Sequence, residues 1–173
     1  MSSVPTQKRC IELLRQAGCS EKVINHCKAV RHVAVKIAKK SGADIELVQA
    51  GALLHDIGRS QTHSIFHAVK GARIAKKLGL PESIINIIER HVGAGISKEE
   101  AKKLGLPEKD YIPITLEEKI VCHADSLIAD SKRQKIENQV EKALMDGHNE
   151  YAIRLVSLHK ELSDICGIDI NLI

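Results

Sequence analysis

Nine histidines in a chain of 173 residues hold most of its capacity for chemistry, and helical spacing sorts them. His26 lies three residues after Val23 and four before Val30, on the apolar side of its segment. His55 follows Ala52 by three and Val48 by seven. His67 precedes Gly71 by four and Ile74 by seven, and His91 follows Ile84, Ile87 and Ile88 at helical spacings. These four face inward from separate helices. His159 shares an apolar face with Leu155, Val156 and Leu162. His32, among Lys28, Lys36 and Lys39, is expected on a solvated face, and His63 and His148 in exposed turns. A single buried imidazole is satisfied by one hydrogen bond. Four of them call for a shared partner, and a cation serves several at once.

The doublet His55-Asp56 sharpens that reading. Neighbours on a helix point about 100° apart, so both reach one ion only near a helix end, where Gly58 places them. An acid must complete the set. Asp130 and Asp146 lie near helix ends, and Asp164 and Asp169 follow later. Asp125, four after Val121 and three before Ile128, is the best placed. Nearby His123 reads either as a support for the site or as a core residue.

The elements that must position these residues read as helix after helix, without sustained strand alternation, so the fold class is all-α. Helices are expected over about 6–17, from the Ser20 N-cap to about 40, from 44 to 56, over 64–78 and over 82–91. Ser97-Lys98-Glu99-Glu100 and Thr115-Leu116-Glu117-Glu118 have the form of capping boxes. Residues 106–113 form a loop, and further helices cover about 115–146, with a break near Asp130, and 148–165. Gly71, on the His67 face, is expected to leave room beside that imidazole. The octapeptide AKKLGLPE occurs at 75–82 and again at 101–108. Helix-ending chemistry explains it better than duplication: lysines at the negative end of the dipole, a left-handed Gly, then Pro. With no Ser/Gly linker, residues 1–173 read as one domain.

Composition narrows the function. With 43% hydrophobic and 28% charged residues, disorder is excluded. Lys plus Arg is 26 and Asp plus Glu 22. An excess of four suits a small anionic substrate but, without a clustered basic face, does not argue for nucleic acid. With no Trp, one Phe and two Tyr, there is no bank of aromatics for stacking bases. No apolar run approaches the ~20 residues of a membrane span, and the first nine residues carry no secretory core. Five cysteines without a Cys-x-x-Cys pair read as reduced, buried thiols. The expected location is the cytoplasm. Neither a membrane nor a nucleic acid is the expected partner, and a homo-oligomer is admitted.

The residues in this order resemble the HD superfamily of metal-dependent phosphohydrolases. Leu53-Leu54-His55-Asp56-Ile57-Gly58-Arg59 is similar to the HDIG form of its doublet, His26 matches its first ligand and Asp125, in Ala124-Asp125-Ser126-Leu127, its last. The likeness spans about 20–130. His67-Ala68-Val69-Lys70-Gly71 and Arg90-His91-Val92-Gly93 resemble the extra histidines of binuclear members, including the HD-GYP type, although no GYP tripeptide is present. The stretches 90–96 and 110–113 resemble small archaeal HDIG proteins.

The resemblance implies an HD-type helical bundle that hydrolyses a small phosphate ester, nucleotide-like or cyclic, with His26, His55, Asp56 and Asp125 on one metal ion. Mixed imidazole and carboxylate ligands suit Fe, Mn, Co, Ni or Zn and do not suit Ca²⁺. Asp56, with two oxygens, would bridge to a second ion held by His67 and His91. Such a pair supplies a hydroxide at neutral pH and clamps the phosphoryl oxygens. Arg59 is the expected phosphate clamp, bidentate by nature, and Lys70 a second candidate for substrate. The competing function is a ligand-sensing or regulatory domain that keeps the metal without turnover.

Overall fold

A computed structural model describes residues 3–173; Met1 and Ser2 of the N-terminal stretch lie outside it. The chain is helical nearly throughout: α1 (Gln7–Ala17), α2 (Glu21–Ser41), α3 (Ile45–Leu54), α4 (His67–Lys77), α5 (Glu82–Glu89), α6 (Lys98–Lys103), α7 (Leu116–Ser126), α8 (Ile136–Met145) and α9 (Asn149–Cys166). Among the described residues, none of these helices is long and apolar enough to cross a membrane.

Local chemistry sets the boundaries. Thr6, Ser20, Asp44, Ser97 and Thr115 each accept a backbone N–H of the following helix's first turn, satisfying donors that a helix start otherwise leaves free. Ser97 and Glu100 complete a capping box. The Thr115 box stays half-formed, because the Glu118 carboxylate instead accepts from Ile114 N at 2.7 Å and from Arg90 Nη1 at 3.0 Å. The two copies of AKKLGLPE end α4 and α6 in the same way: Leu80 N donates to Ala75 O at 3.1 Å, and Leu106 N to Ala101 O at 2.9 Å.

α2 and α3 form the central pair. α7 crosses both, α5 packs on α3 and α4, and the α8–α9 hairpin closes over α7 and α2. The core is aliphatic. Val30, Ala34, Ile37, Val48, Ile120 and Leu155 lie in one apolar cluster, and Leu14, Ile24, Leu53, Leu54, Ile84 and Ile88 in another toward the N-terminal end. The break expected near Asp130 is a two-residue hairpin, Ile128–Ala129 paired with Lys132–Arg133, which turns at Asp130 with φ +54°.

Two glycines have roles other than those the sequence suggested. α3 ends at Leu54, and Gly58 sits in a 3₁₀ turn over 57–60, not in a left-handed cap. A Cβ on Gly58 would lie 1.8 Å from His67 O and 2.6 Å from Gly71 N. The space that Gly71 leaves is filled from the other side by the backbone of Gly58, whose N stands 3.2 Å from the position of a Gly71 Cβ. The pair therefore lets two backbones touch, which locks the His55-Asp56 turn against the start of α4; the position of the missing Gly71 side chain is itself filled.

Candidate metal centre

Three of the four inward histidines stand at helix ends, and there the chain supplies them with the same partner. His55 caps α3, His67 opens α4 and His91 follows α5. Each places Nδ1 at 2.7 Å from the carbonyl three residues earlier: Ala52, Ser64 and Ile88 respectively. Those carbonyls are of the kind a turn or helix end leaves free. His26, within α2, reaches the Asp130 carbonyl of the hairpin at 2.5 Å. Every Nδ1 therefore donates its proton to backbone, which assigns each ring the tautomer with a bare lone pair on Nε2.

The four Nε2 atoms converge on two carboxylates. Asp125 Oδ1 is 2.9 Å from His26 Nε2 and 3.5 Å from His55 Nε2. Asp56 Oδ2 is 3.8 Å and 3.6 Å from the same two nitrogens. The other oxygen of Asp56 faces the opposite way, 3.2 Å from His67 Nε2 and 3.5 Å from His91 Nε2, which are 3.0 Å apart. His55, Asp56, His67 and His91 are all buried, and His26 and Asp125 are half-buried.

Donors about 2.1 Å from a common transition ion stand ~3.0 Å apart at right angles and ~3.4 Å apart at tetrahedral angles. Both sets fall near that range, with Asp56 shared through a different oxygen in each. Hydrogen bonding alone does not satisfy them. His55 Nε2 and Asp56 Oδ1 are buried without a hydrogen-bond partner among the described residues. The His67 and His91 nitrogens are two lone pairs pointed at each other. A cation resolves all of these at once, so the residues fit one or two divalent ions with imidazole and carboxylate ligands.

The electrostatics agree. Burial pushes the His55 imidazole pKa down, but the neighbouring charge of Asp56, helped by Asp125, raises it well above the ordinary value. Burial alone would raise Asp56; the positive charge of His55, with the adjoining rings of His67 and His91, holds it well below the usual carboxylate range. Asp125 is likewise lowered, against burial, by the adjoining rings of His26 and His55. His91 is lowered, chiefly by burial. The carboxylates are thus ionised and demand positive charge at their centre.

One side of this centre opens on a cleft of about 340 Å³ lined by Ser20, Lys22, His26, Asp56, Arg59 and His63, among others. Arg59 donates Nε to Asp56 Oδ2 at 2.6 Å and Nη1 to His63 O at 3.4 Å. Its Nη2 has no protein partner among the described residues. Lys70, the second candidate for substrate, is elsewhere: it lines a groove along α4 with Gln61 and Arg73, outside the cleft beside Arg59. His63 and Lys22, which the sequence reading did not select, do line the cleft; the proximity of His63 to Arg59 in the chain was the available signal.

His123 belongs to a different cluster. It stands on α7 two residues before Asp125, a step of about 200°, and so faces away from the centre. Its Nε2 is 2.9 Å from His159 Nδ1, and His159 Nε2 is 2.9 Å from Asp169 Oδ1. Burial, with smaller contributions from His159 and Arg133, lowers the His123 pKa to about 3. Val156, expected beside His159 on an inward face, is 52% exposed.

Comparison with known proteins finds relatives over most of the chain. A family model described as "HD domain" matches residues 23–130. An uncharacterized protein of Methanocaldococcus jannaschii is 51% identical over 155 residues, covering 85% of this chain and 91% of its own. A protein of Thermoplasma volcanium named tRNA (cytidine(56)-2'-O)-methyltransferase is 49% identical over 168 residues, which is 97% of this chain but 50% of that protein. This chain therefore spans half the length of that relative. Among solved structures, the HD domain of the L. monocytogenes phosphodiesterase PgpH, in complex with cyclic-di-AMP, superposes with a TM-score of 0.58 at 21% identity, covering 91% of this chain and 96% of that one.

Proposed function

This chain belongs to the HD-domain family, and on that premise we propose that it is a metal-dependent phosphohydrolase, a phosphodiesterase in particular, acting as a single domain. One observation carries the proposal: four imidazole Nε2 atoms, each with its tautomer fixed by a backbone carbonyl, converge on Asp56 and Asp125. His26, His55, Asp56 and Asp125 would hold one divalent ion, and Asp56, His67 and His91 a second. Ions held by such donors lower the pKa of a water toward neutrality and offset charge on a phosphoryl group.

The remaining work falls to this chain's own side chains. Arg59, anchored through Nε on Asp56, presents its free Nη2 to an anion in the cleft and holds a phosphate oxygen by a charge-assisted hydrogen bond. The Asp56–Arg59 contact couples substrate orientation to the shared ligand. Burial of His55, His67 and His91 keeps bulk water from the inner side, so reaction is confined to the cleft. The diester bound by the PgpH domain and the RNA named for the Thermoplasma relative both suggest nucleotide diesters as the substrate class.

The test is a screen of chain loaded with Mn²⁺, or anaerobically with Fe²⁺, against mono-, di- and cyclic phosphate esters. Asp56→Ala should lose both bound metal and turnover. Full metal content with unchanged turnover in that variant would overturn the site. A second reading, a ligand-sensing domain without turnover, is favoured by one contact: Arg59 engages, at 2.6 Å, the same Asp56 oxygen that faces His26 and His55. Saturable binding of a nucleotide diester with no hydrolysis across the screen would select it.

A further inference from the structure

The groove along α4 carries a charge distribution that the metal centre does not use. α4 reads HAVKGARIAKK and contains no acid. Its Lys70, Arg73, Lys76 and Lys77 all line one groove of about 810 Å³, and none of the four forms an ion pair with a described residue. The whole chain has 26 Lys and Arg against 22 Asp and Glu, so these four equal its entire excess. Arg73, Lys76 and Lys77 are exposed and Lys70 is half-buried.

The helix dipole accounts for part of this. Lys76 and Lys77 stand in the last turn, where cations are favoured. The second copy of the same octapeptide shows what the dipole alone requires: α6 carries Glu99 and Glu100 in its first turn, and its Lys102 pairs with Glu108 at 3.6 Å. α4 has no such offset, and Lys70 and Arg73 lie upstream of its last turn. Ile74 and Leu78 complete the groove with apolar surface, Leu78 being 43% exposed.

The groove and the metal cleft draw on one stretch of chain. Gln61 is in the groove wall, while Arg59 and His63, on either side of Gln61 in the chain, line the cleft. The two concavities thus share the 59–63 segment. From Lys70 to Lys77 α4 rises about 10 Å, a length along which a polynucleotide strand at ~3.4 Å per residue presents about four phosphates. A single mononucleotide phosphate would leave most of these cations unused.

We propose that the α4 groove binds the sugar-phosphate backbone of a single-stranded polynucleotide, one end of which enters the metal cleft. This rests on the phosphodiesterase reading above and extends its substrate from small esters to a strand. Contact is through phosphates, with Ile74 and Leu78 under the sugars. The residues lining the groove include no aromatic, so binding is tolerant of sequence and strongly dependent on salt.

The experiment measures fluorescence anisotropy of a labelled 12-residue oligoribonucleotide with phosphorothioate links, and of its deoxy counterpart, on the metal-loaded full chain. If all four cations contact phosphate, affinity should fall about 50-fold between 50 and 200 mM salt, from a log–log slope of about −0.7 per contact. In Lys76→Gln with Lys77→Gln, that fall should shrink to about 7-fold. Lys39→Gln with Lys40→Gln, an exposed pair at the end of α2, should leave it at the parent value. Unchanged metal content and helicity verify the fold of each variant.

Absence of saturable binding at 50 mM salt overturns the proposal. So does equal flattening in the two double variants, which would mean diffuse charge attraction. Binding to phosphatidylglycerol vesicles without binding to either oligomer would assign the groove to a membrane surface instead. Strand binding with this dependence but no hydrolysis of any ester leaves the groove and removes the enzyme. Hydrolysis of small diesters without strand binding does the reverse.

Discussion

The facing imidazoles of His67 and His91 give the sharpest prediction. Their Nε2 atoms are 3.0 Å apart, and both lie within 3.5 Å of Asp56 Oδ1, while both Nδ1 protons are committed to carbonyls. Three acceptors crowd one point, so a cation there should bind with substantial affinity. At a free metal concentration of 100 times Kd, one ion stabilises the fold by about 2.7 kcal/mol. For a chain of this size 1 kcal/mol moves the melting temperature by about 2–4 °C. Each ion should therefore raise it by ~5–11 °C, and two ions by ~10–22 °C.

The double variant His67→Ala with His91→Ala should keep one ion, lose about half of the metal-dependent shift and lose most phosphodiesterase turnover. The shift is the quantity to read, because the variant also removes the crowding of acceptors and so perturbs the metal-free protein less than the loaded one. The assay is metal content by elemental analysis after Mn²⁺ titration, paired with thermal melts with and without chelator. Parent protein that saturates at one ion per chain, or a double variant with an unreduced metal shift, would refute the binuclear reading while leaving the His26, His55, Asp56 and Asp125 set standing.

Other expected outcomes follow from single contacts. Arg59→Ala should retain its metal and lose about 1.5–3 kcal/mol of charge-assisted binding, a fall in kcat/KM of about 10- to 150-fold; equal efficiency would place Arg59 outside substrate contact. His123 is neutral and buried in the fold, with its pKa lowered to about 3, and near 6.5 when unfolded. Between those values the unfolded state binds the extra proton, so the folded state loses stability as pH falls, at up to about 1.4 kcal/mol per unit. In chelator-treated protein, His123→Gln should flatten the denaturant midpoint against pH between 6.5 and 4.5, and an unchanged slope would exclude this origin. Gly58→Ala forces a Cβ toward the His67 carbonyl, 1.8 Å away, and should cost about 3 kcal/mol; Gly71→Ala, whose nearest obstacle is the Ile88 Cγ2 methyl at 2.8 Å with no backbone atom closer than 3.2 Å, should cost less. Urea unfolding of the pair reads the difference, and equal costs would contradict the backbone contact.

What was legible in the sequence is what helical periodicity encodes. The inward phases of His26, His55, His67 and His91 needed only the apolar residues three and four positions away, and the lack of sustained strand alternation implied the all-α class to which the HD resemblance also pointed. Chemistry set by long-range contact was not legible. Nothing near Gly58 in the chain announces that the carbonyl of His67 will lie against it; a Gly after a helix reads as a cap until α4 is in place. The partner of His26 Nδ1 is a carbonyl 104 residues away, at Asp130, made available by a hairpin too short for an alternation signal. His123 could not be assigned because the helical step that takes it away from Asp125 has no meaning until α9 brings His159 and Asp169 to the other side. Lys70 shows the same limit: the sequence offered it as a second candidate for substrate beside Arg59, and the packing of α4 sets it in the neighbouring groove. There it joins Arg73, Lys76 and Lys77, and the modest net charge that argued against a nucleic acid becomes concentrated on one face. A net charge averaged over the chain cannot report such clustering; four cations on one helix without an acid can, and that pattern stood in the sequence at 67–77.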